Sequence, residues 1–297
     1  MSTAEADDVV PSRAERLRQL LRQPGLLLMP CAWDALSARL IERAGFKLTM
    51  MSGFAVSGAR LAMPDTGLIS FAEMCDQLRC ICNAVSDLLV IGDGDTGYGN
   101  PLNVQRTVRE YAAAGAACIM IEDQVSPKRC GHTRGKQVVG FDEARMRIRA
   151  AVDAARATPG GILVMARTDA RATDGFDEAM RRCRMFEEEG ADILFLEAPV
   201  SEDEMRAFAS SFRTPTMANL VAGGQTPMLD PARLEAMGFR IAAYPVTAFC
   251  AAIEGTLRAL QAIREGRPND VPQIDFATLK SLVGFDAYYA AESKYRS

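Results

Sequence analysis

Short apolar runs alternate along the chain with longer amphipathic stretches. Runs at 26–31, 46–52, 88–95, 117–123, 162–168, 193–197, 216–219 and 241–245 have the length and composition of buried strands. The amphipathic stretches between and after them predict helices starting near Asp34, Ser70, Asn103, Phe141, Phe176, Ser201, Asp230 and Thr247. Gly45, Gly115, Gly190 and Gly238 each fall just past a helix and just before a strand, where a left-handed residue ends the helix. Repeated β–α units imply a parallel sheet. Eight such units predict a (β/α)8 TIM barrel; an open doubly wound sheet is the alternative. Nothing in composition marks a boundary, so one barrel domain is expected over 1–297, with a short N-terminal extension (1–12) and a C-terminal helical tail (about 270–297). That tail is apolar and aromatic from 274 to 295, more so than a solvated helix needs, and should pack on the barrel or on a partner.

Composition narrows the class. Of 297 residues 48% are hydrophobic, enough for a large core, and the net charge of -4 comes from interspersed signs. No basic stripe points to nucleic acid. The start, MSTAEADDVV, lacks the apolar segment of a signal or transit peptide, and no apolar run approaches the ~18 residues of a membrane span. The eight cysteines are scattered, and their default state is a buried reduced thiol. His132 is the only histidine, which excludes a His-based zinc site. These features predict a soluble cytoplasmic protein.

Barrel enzymes do their chemistry at the C-terminal ends of the strands. Here those ends read Ser52-Gly53, Asp93-Gly94-Asp95, Glu122-Asp123, Arg167-Thr168-Asp169, Glu197 and Asn219. Asp93 and Asp95 both fall within the predicted strand 88–95, and their i, i+2 spacing puts both carboxylates on one side. Such a pair repels unless a cation intervenes, and Glu122 adds a third carboxylate one strand over. Oxygen ligands without nearby His or Cys suit Mg²⁺, with Mn²⁺ as a substitute. A polar loop follows, 126–137, in which Cys130 is flanked by Lys128, Arg129 and His132. Positive neighbours favour the thiolate and suit a thiol to proton transfer near neutrality. Gly131 and Gly135 would let this segment move.

Three segments carry a resemblance: Asp93-Gly94-Asp95-Thr96-Gly97-Tyr98-Gly99-Asn100, Ile121-Glu122-Asp123-Gln124 and Lys128-Arg129-Cys130-Gly131-His132. They resemble the isocitrate lyase and phosphoenolpyruvate mutase superfamily, most closely its short lyases for 2-methylisocitrate and 2,3-dimethylmalate and the petal-death-protein type. The resemblance spans about Arg16 to Tyr295. It implies a barrel whose eighth helix is swapped between subunits of a homotetramer. It implies Mg²⁺ near Asp93 and Asp95, with Glu122 and Asp65 reached through water. It assigns catalysis to Cys130, Lys128, His132, Arg167 and Glu197. It assigns substrate contact to Ser52, Gly53, Phe54, Arg167, Asn219, Gly131 and His132. The implied reaction is a retro-aldol cleavage of a small 2-hydroxy acid, in which Cys130 protonates the carbanion. The superfamily's mutases lack the loop cysteine, so Cys130 speaks against phosphonate chemistry, and a non-catalytic binding protein would have lost these residues. Phe54, Leu220 and Val221 offer no partner to a third carboxylate, which favours a 2-alkylmalate or 2,3-dimethylmalate over 2-methylisocitrate. Oxaloacetate hydrolysis or decarboxylation is a further alternative.

Overall fold

The computed structural model describes residues 11–131 and 135–296. In chain order the elements are α1 (Arg13–Arg22), β1 (Leu27–Ala32), α2 (Ala35–Arg43), β2 (Leu48–Met51), α3 (Gly53–Leu61), α4 (Phe71–Asn83), β3 (Leu89–Asp93), α5 (Pro101–Ala114) and β4 (Cys118–Glu122). They continue with α6 (Phe141–Ala157), β5 (Leu163–Thr168), α7 (Ala170–Thr173), α8 (Phe176–Glu189), β6 (Ile193–Leu196), α9 (Glu202–Ser210), β7 (Thr216–Asn219), α10 (Pro231–Met237), β8 (Ile241–Tyr244) and α11 (Thr247–Arg264). Two short helices close the chain, α12 (Phe276–Val283) and α13 (Phe285–Glu292).

The strands form a closed parallel barrel in sequence order, and β1 pairs with β8 to shut it. This is the (β/α)8 TIM barrel that the alternation predicts. Strand side chains divide between two cores. Met29, Met50, Met120, Met165 and Met217 fill the lumen with Leu48, Ile91 and Phe195, and flexible thioethers suit that irregular space. The alternate positions, Val90, Ile119, Ile121, Val164 and Leu194 among them, face the helices.

Helix α1, unforeseen in the sequence reading, covers the N-terminal mouth. Its Leu17 and Leu21 join the lumen core, Arg13 donates to the Gly115 carbonyl, and Arg240 donates to the carbonyls of Leu20 and Leu21. With that end plugged, access is from the opposite rim.

Local signals agree with the helix starts. Asp34, Ser70, Asn100, Ser201 and Asp230 each cap a helix through the side chain. The helix expected near Asn103 begins at Pro101, because Asn100 takes the cap. Helix α3 was also unforeseen, since Gly53 and Gly58 speak against a helix; Ser52 caps it, and Gly58 lets Phe249 approach.

The tail returns to the barrel where Arg39 of α2 donates to the Leu282 carbonyl of α12 at 3.2 Å, and is otherwise largely uncovered. Along α11 only Ala262 is buried, while Ile253, Leu257, Leu260 and Ile263 are exposed, as are Phe276, Tyr288 and Tyr289 beyond it. Its first turn is anchored, with Phe249 edge-on to Trp33 at 5.2 Å. Among the described residues no helix is long and apolar enough to cross a membrane.

Candidate active site

A cavity of about 280 Å³ opens at the C-terminal rim. Ser52, Gly53, Phe54, Asp65, Asp93, Glu122, Lys128, Cys130, Gly131, Arg167, Glu197 and Asn219 all line it, so nearly every residue singled out in the sequence converges there. His132 lies outside the described residues. Leu220 does not reach the cavity; it is fully buried in the outer core.

The acidic side is built from β2, β3 and β4. Asp93 ends β3, and its Oδ2 accepts from the Gly53 N–H at 3.0 Å, at the start of α3. A Cβ on Gly53 would sit 2.5 Å from that same oxygen, so only glycine allows the approach. Asp95 does not share the strand face with Asp93, as the i, i+2 argument expected. The strand has ended, Asp95 is left-handed at φ 47°, and it lies outside the cavity lining. Gly94 lies so close to β4 that its N–H donates to the Met120 carbonyl at 2.9 Å and a Cβ there would meet that oxygen at 2.6 Å. Asp95 instead accepts from the Tyr98 hydroxyl at 3.0 Å, and its N–H donates to Asp93 Oδ1.

Lys128 reaches down from the loop into this group. Its Nζ lies 2.5 Å from Asp65 Oδ1 and 2.9 Å from Asp95 Oδ1, both fully sheltered from water. The sequence reading set Lys128 beside Cys130 as a positive neighbour; its ammonium is engaged by carboxylates. Burial alone would favour the neutral amine, but Asp95, Asp93 and Asp65 raise Lys128 well above its ordinary value. Burial, and then the Asp95 charge, push Asp93 up to about 6. Burial also raises Asp65 against the pull of Lys128, and Glu122 against that of Arg167.

The opposite side is built from β5, β6 and β7. Arg167 pairs with Asp169 (2.8 Å), Glu197 (3.1 Å) and, more distantly, Glu122 (3.4 Å). Asn219 donates to both oxygens of Glu197. Asp169 was visible at the end of its strand but drew no role. Lys136, Gln124 and Arg147 also drew no role: Lys136 meets Asp169 across 33 residues and Arg147 meets Glu122 across 25, while Gln124, present in the Ile121–Gln124 motif, pairs with Arg129 only five residues on.

No three His, Cys, Asp or Glu among the described residues form a ready metal cage. The donor set nevertheless fits a hard divalent cation. Asp65, Asp93, Asp95 and Glu122 face one ammonium and one shared guanidinium, and Glu122 Oε1 is buried without a hydrogen-bond partner among the described residues. Mg²⁺ needs only one or two protein carboxylates and keeps its waters, so a full cage is not required.

The family model for phosphoenolpyruvate phosphomutase matches residues 17–264. The petal death protein of Dianthus caryophyllus is 38% identical over 97% of this chain and 91% of its own. The 2,3-dimethylmalate lyase of Eubacterium barkeri is 39% identical over 95% of this chain and 98% of its own. Among solved structures, oxaloacetate acetylhydrolase with 3,3-difluorooxalacetate superposes at a TM-score of 0.91, with 34% identity over 96% of this chain and 97% of that one. Phosphonopyruvate hydrolase with oxalate and Mg²⁺ superposes at 0.84, with 31% identity over 96% and 99%.

Proposed function

This chain belongs to the phosphoenolpyruvate phosphomutase family and is a carbon–carbon lyase of the wider phosphoenolpyruvate mutase/isocitrate lyase superfamily; we propose that it cleaves a 2-alkylmalate or 2,3-dimethylmalate into a 2-oxo acid, such as pyruvate, and a monocarboxylate. The observation that carries this reading is the asymmetry of the cavity. One side holds the carboxylate group and Arg167, whereas Phe54, Met217, Val221, Pro245 and Val246 make an apolar wall. The cations among the described lining residues are Lys128, Arg129 and Arg167, and none belongs to this wall, so a third substrate carboxylate placed against it would be an unpaired buried charge, which is costly.

Mg²⁺, or Mn²⁺ in its place, held by Asp93 and Asp95 with Asp65 and Glu122 through water, would supply a Lewis acid for the developing C2 oxyanion. The protein does the rest. The start of α3, at Ser52, Gly53 and Phe54, turns the positive end of a helix toward the 2-oxo acid carboxylate. The C2 hydroxyl gives its proton to a carboxylate of the acidic group as the C2–C3 bond breaks and C2 becomes a carbonyl; the electron pair is left on C3 and spreads into its carboxylate. Arg167 stabilises that charge from a buried, preorganised position, with Glu197 and Asn219 fixing its direction. Cys130, half-buried above the cavity, gives its proton to C3. His132, in the same loop, is assigned to substrate contact.

The test is kcat/KM for 2,3-dimethylmalate against 2-methylisocitrate on one preparation; each tenfold ratio is ~1.4 kcal/mol of transition-state discrimination. A preference for dimethylmalate is expected. A preference for methylisocitrate of roughly a hundredfold would overturn the reading. Oxaloacetate belongs in the same panel, because the similarity to oxaloacetate acetylhydrolase favours it as a second substrate.

The protein is further proposed to assemble as a homotetramer with α11 swapped between subunits. The exposed apolar positions of α11, α12 and α13 support this, because one chain leaves them uncovered. A monomer by light scattering would overturn it.

A further inference from the structure

We propose that Lys136 and Gln124 are positioning residues that clamp the backbone on either side of Cys130 and so aim its thiol at the cavity. The catalytic half of this inference rests on the lyase reading above.

Gln124 directly follows the β4 rim. Its Nε2 donates to the Arg129 carbonyl at 2.8 Å, and its Oε1 accepts from the Arg129 N–H at 2.9 Å. Both backbone groups of the residue before Cys130 are therefore held by one amide. Gln124 is itself fixed. Arg147 donates to its carbonyl at 2.9 Å, and it forms an antiparallel bridge with Val138 across the base of the loop.

Lys136 acts on the other side. Its Nζ donates to the carbonyl of Gly131, the residue after Cys130, and to Asp169 Oδ1 at 2.8 Å. The Lys136 side chain is 3% exposed and that of Asp169 0%. Asp169 cannot yield, because its N–H donates to Asp123 and its carboxylate takes two bonds from Arg167. Arg167 already neutralises Asp169. What Lys136 adds is a tie from the loop backbone to the Arg167 side of the cavity.

Gly131 completes the clamp. A Cβ there would lie 2.5 Å from Arg167 Nη2 and 2.6 Å from Glu197 Oε2, so the loop backbone rests directly on the two groups that flank the substrate. A proton donor misplaced by about 1 Å loses much of its rate, so two clamps around one thiol have a catalytic purpose.

The experiment compares iodoacetamide labelling of Cys130 with that of exposed Cys80 in the same molecule by mass spectrometry, alongside kcat and KM. In Lys136→Met the Cys130-to-Cys80 ratio should change by about tenfold, and kcat should fall by about a hundredfold with KM within about threefold. Lys136→Arg, which keeps the charge on Asp169, should recover part of both. Gln124→Ala should move them in the same direction. A folded Lys136→Met protein with wild-type labelling ratio and kcat overturns the proposal. If Lys136→Met does not fold, Gly131→Ala decides, since its Cβ would keep the loop backbone off Arg167 and Glu197; an unchanged ratio there also overturns the proposal. A wild-type protein that turns over none of the acids, while the variants still shift the labelling ratio, refutes the lyase reading and leaves the clamp standing.

Discussion

Two groups of buried carboxylates sit side by side on the same rim, meeting at Arg167 where β4 pairs with β5, and their charge balance differs. On the β3 side, Asp65, Asp93, Asp95 and Glu122 share Lys128 and part of Arg167. On the β5 side, Asp169 and Glu197 are matched by Arg167 and Lys136. Both groups are sheltered from water, so burial does not distinguish them. Their protonation does. Asp93 is pushed up to about 6 by burial and Asp95, whereas Asp169, which burial would also raise, is pulled down to about 2 by Arg167 and Lys136. An excess of buried negative charge is a demand for a cation. A balanced set is finished scaffold, able to hold a guanidinium still while a reaction proceeds beside it.

The largest test of this contrast is metal removal. EDTA should abolish turnover, and Mg²⁺ or Mn²⁺ should restore it while Zn²⁺ does not. Asp93→Asn should lose at least about a thousandfold in kcat, ~4 kcal/mol of transition-state stabilisation. Calorimetry of the wild type should show Tm rising with Mg²⁺, and that rise should vanish in Asp93→Asn. Full turnover in chelated protein would erase the distinction between the two groups.

Cys130 sits in the loop that joins them, between Lys128 on the acidic side and Gly131 on the balanced side. Cys130→Ser should lower kcat by roughly a thousandfold, because a hydroxyl is a much weaker acid than a thiol near neutral pH. Product binding, followed by calorimetric titration, should survive, since both carboxylate groups remain intact. Near-native turnover in Cys130→Ser would make the thiol structural.

Much of this arrangement was legible in the sequence, for identifiable reasons. Strand positions follow from uninterrupted apolar runs, and helix starts from side-chain caps, both of which are local signals. The shared-face reading of Asp93 and Asp95 failed because the strand ends at Asp93, two residues before the end of the apolar run, and Asp95 turns into the left-handed region. Helix α3 was hidden by its glycines, which serve close approach to Asp93 and Phe249. Helix α1 is amphipathic but precedes the first strand, so counting β–α units passes over it. Lys136 and Asp169 are 33 residues apart, and only the closed barrel brings them together. The acidic group could be read because its residues fall in short motifs; of the balanced group, Arg167 and Glu197 could be read from their strand ends, whereas Lys136 and the role of Asp169 could not, because they depend on pairing across the barrel.

Stability gives the sharpest test of the contrast, since the same substitution should have opposite signs in the two groups. In chelated protein at pH 7, Asp93→Asn removes one of several repelling charges and should leave stability equal or higher. Asp169→Asn leaves Arg167 and Lys136 short of a partner in a buried site and should cost about 3–5 kcal/mol. The pH dependence follows from the two shifts. Asp169 binds its proton less readily folded (about 2) than at its ordinary 3.8, so its contribution is complete above about pH 4 and is lost as pH falls toward 2. Asp93 binds its proton more readily folded (about 6) than at 3.8, so its contribution is complete below about pH 4 and is lost as pH rises through 6. Each swing is about 2–3 kcal/mol, read as the difference in urea unfolding free energy between wild type and the matching Asn variant. Adding Mg²⁺ should move the Asp93 window to lower pH and leave the Asp169 window in place, because a cation competes with the proton only where negative charge is in excess. Two windows that moved together would mean that the carboxylates act as one network and that the division between them is not physical.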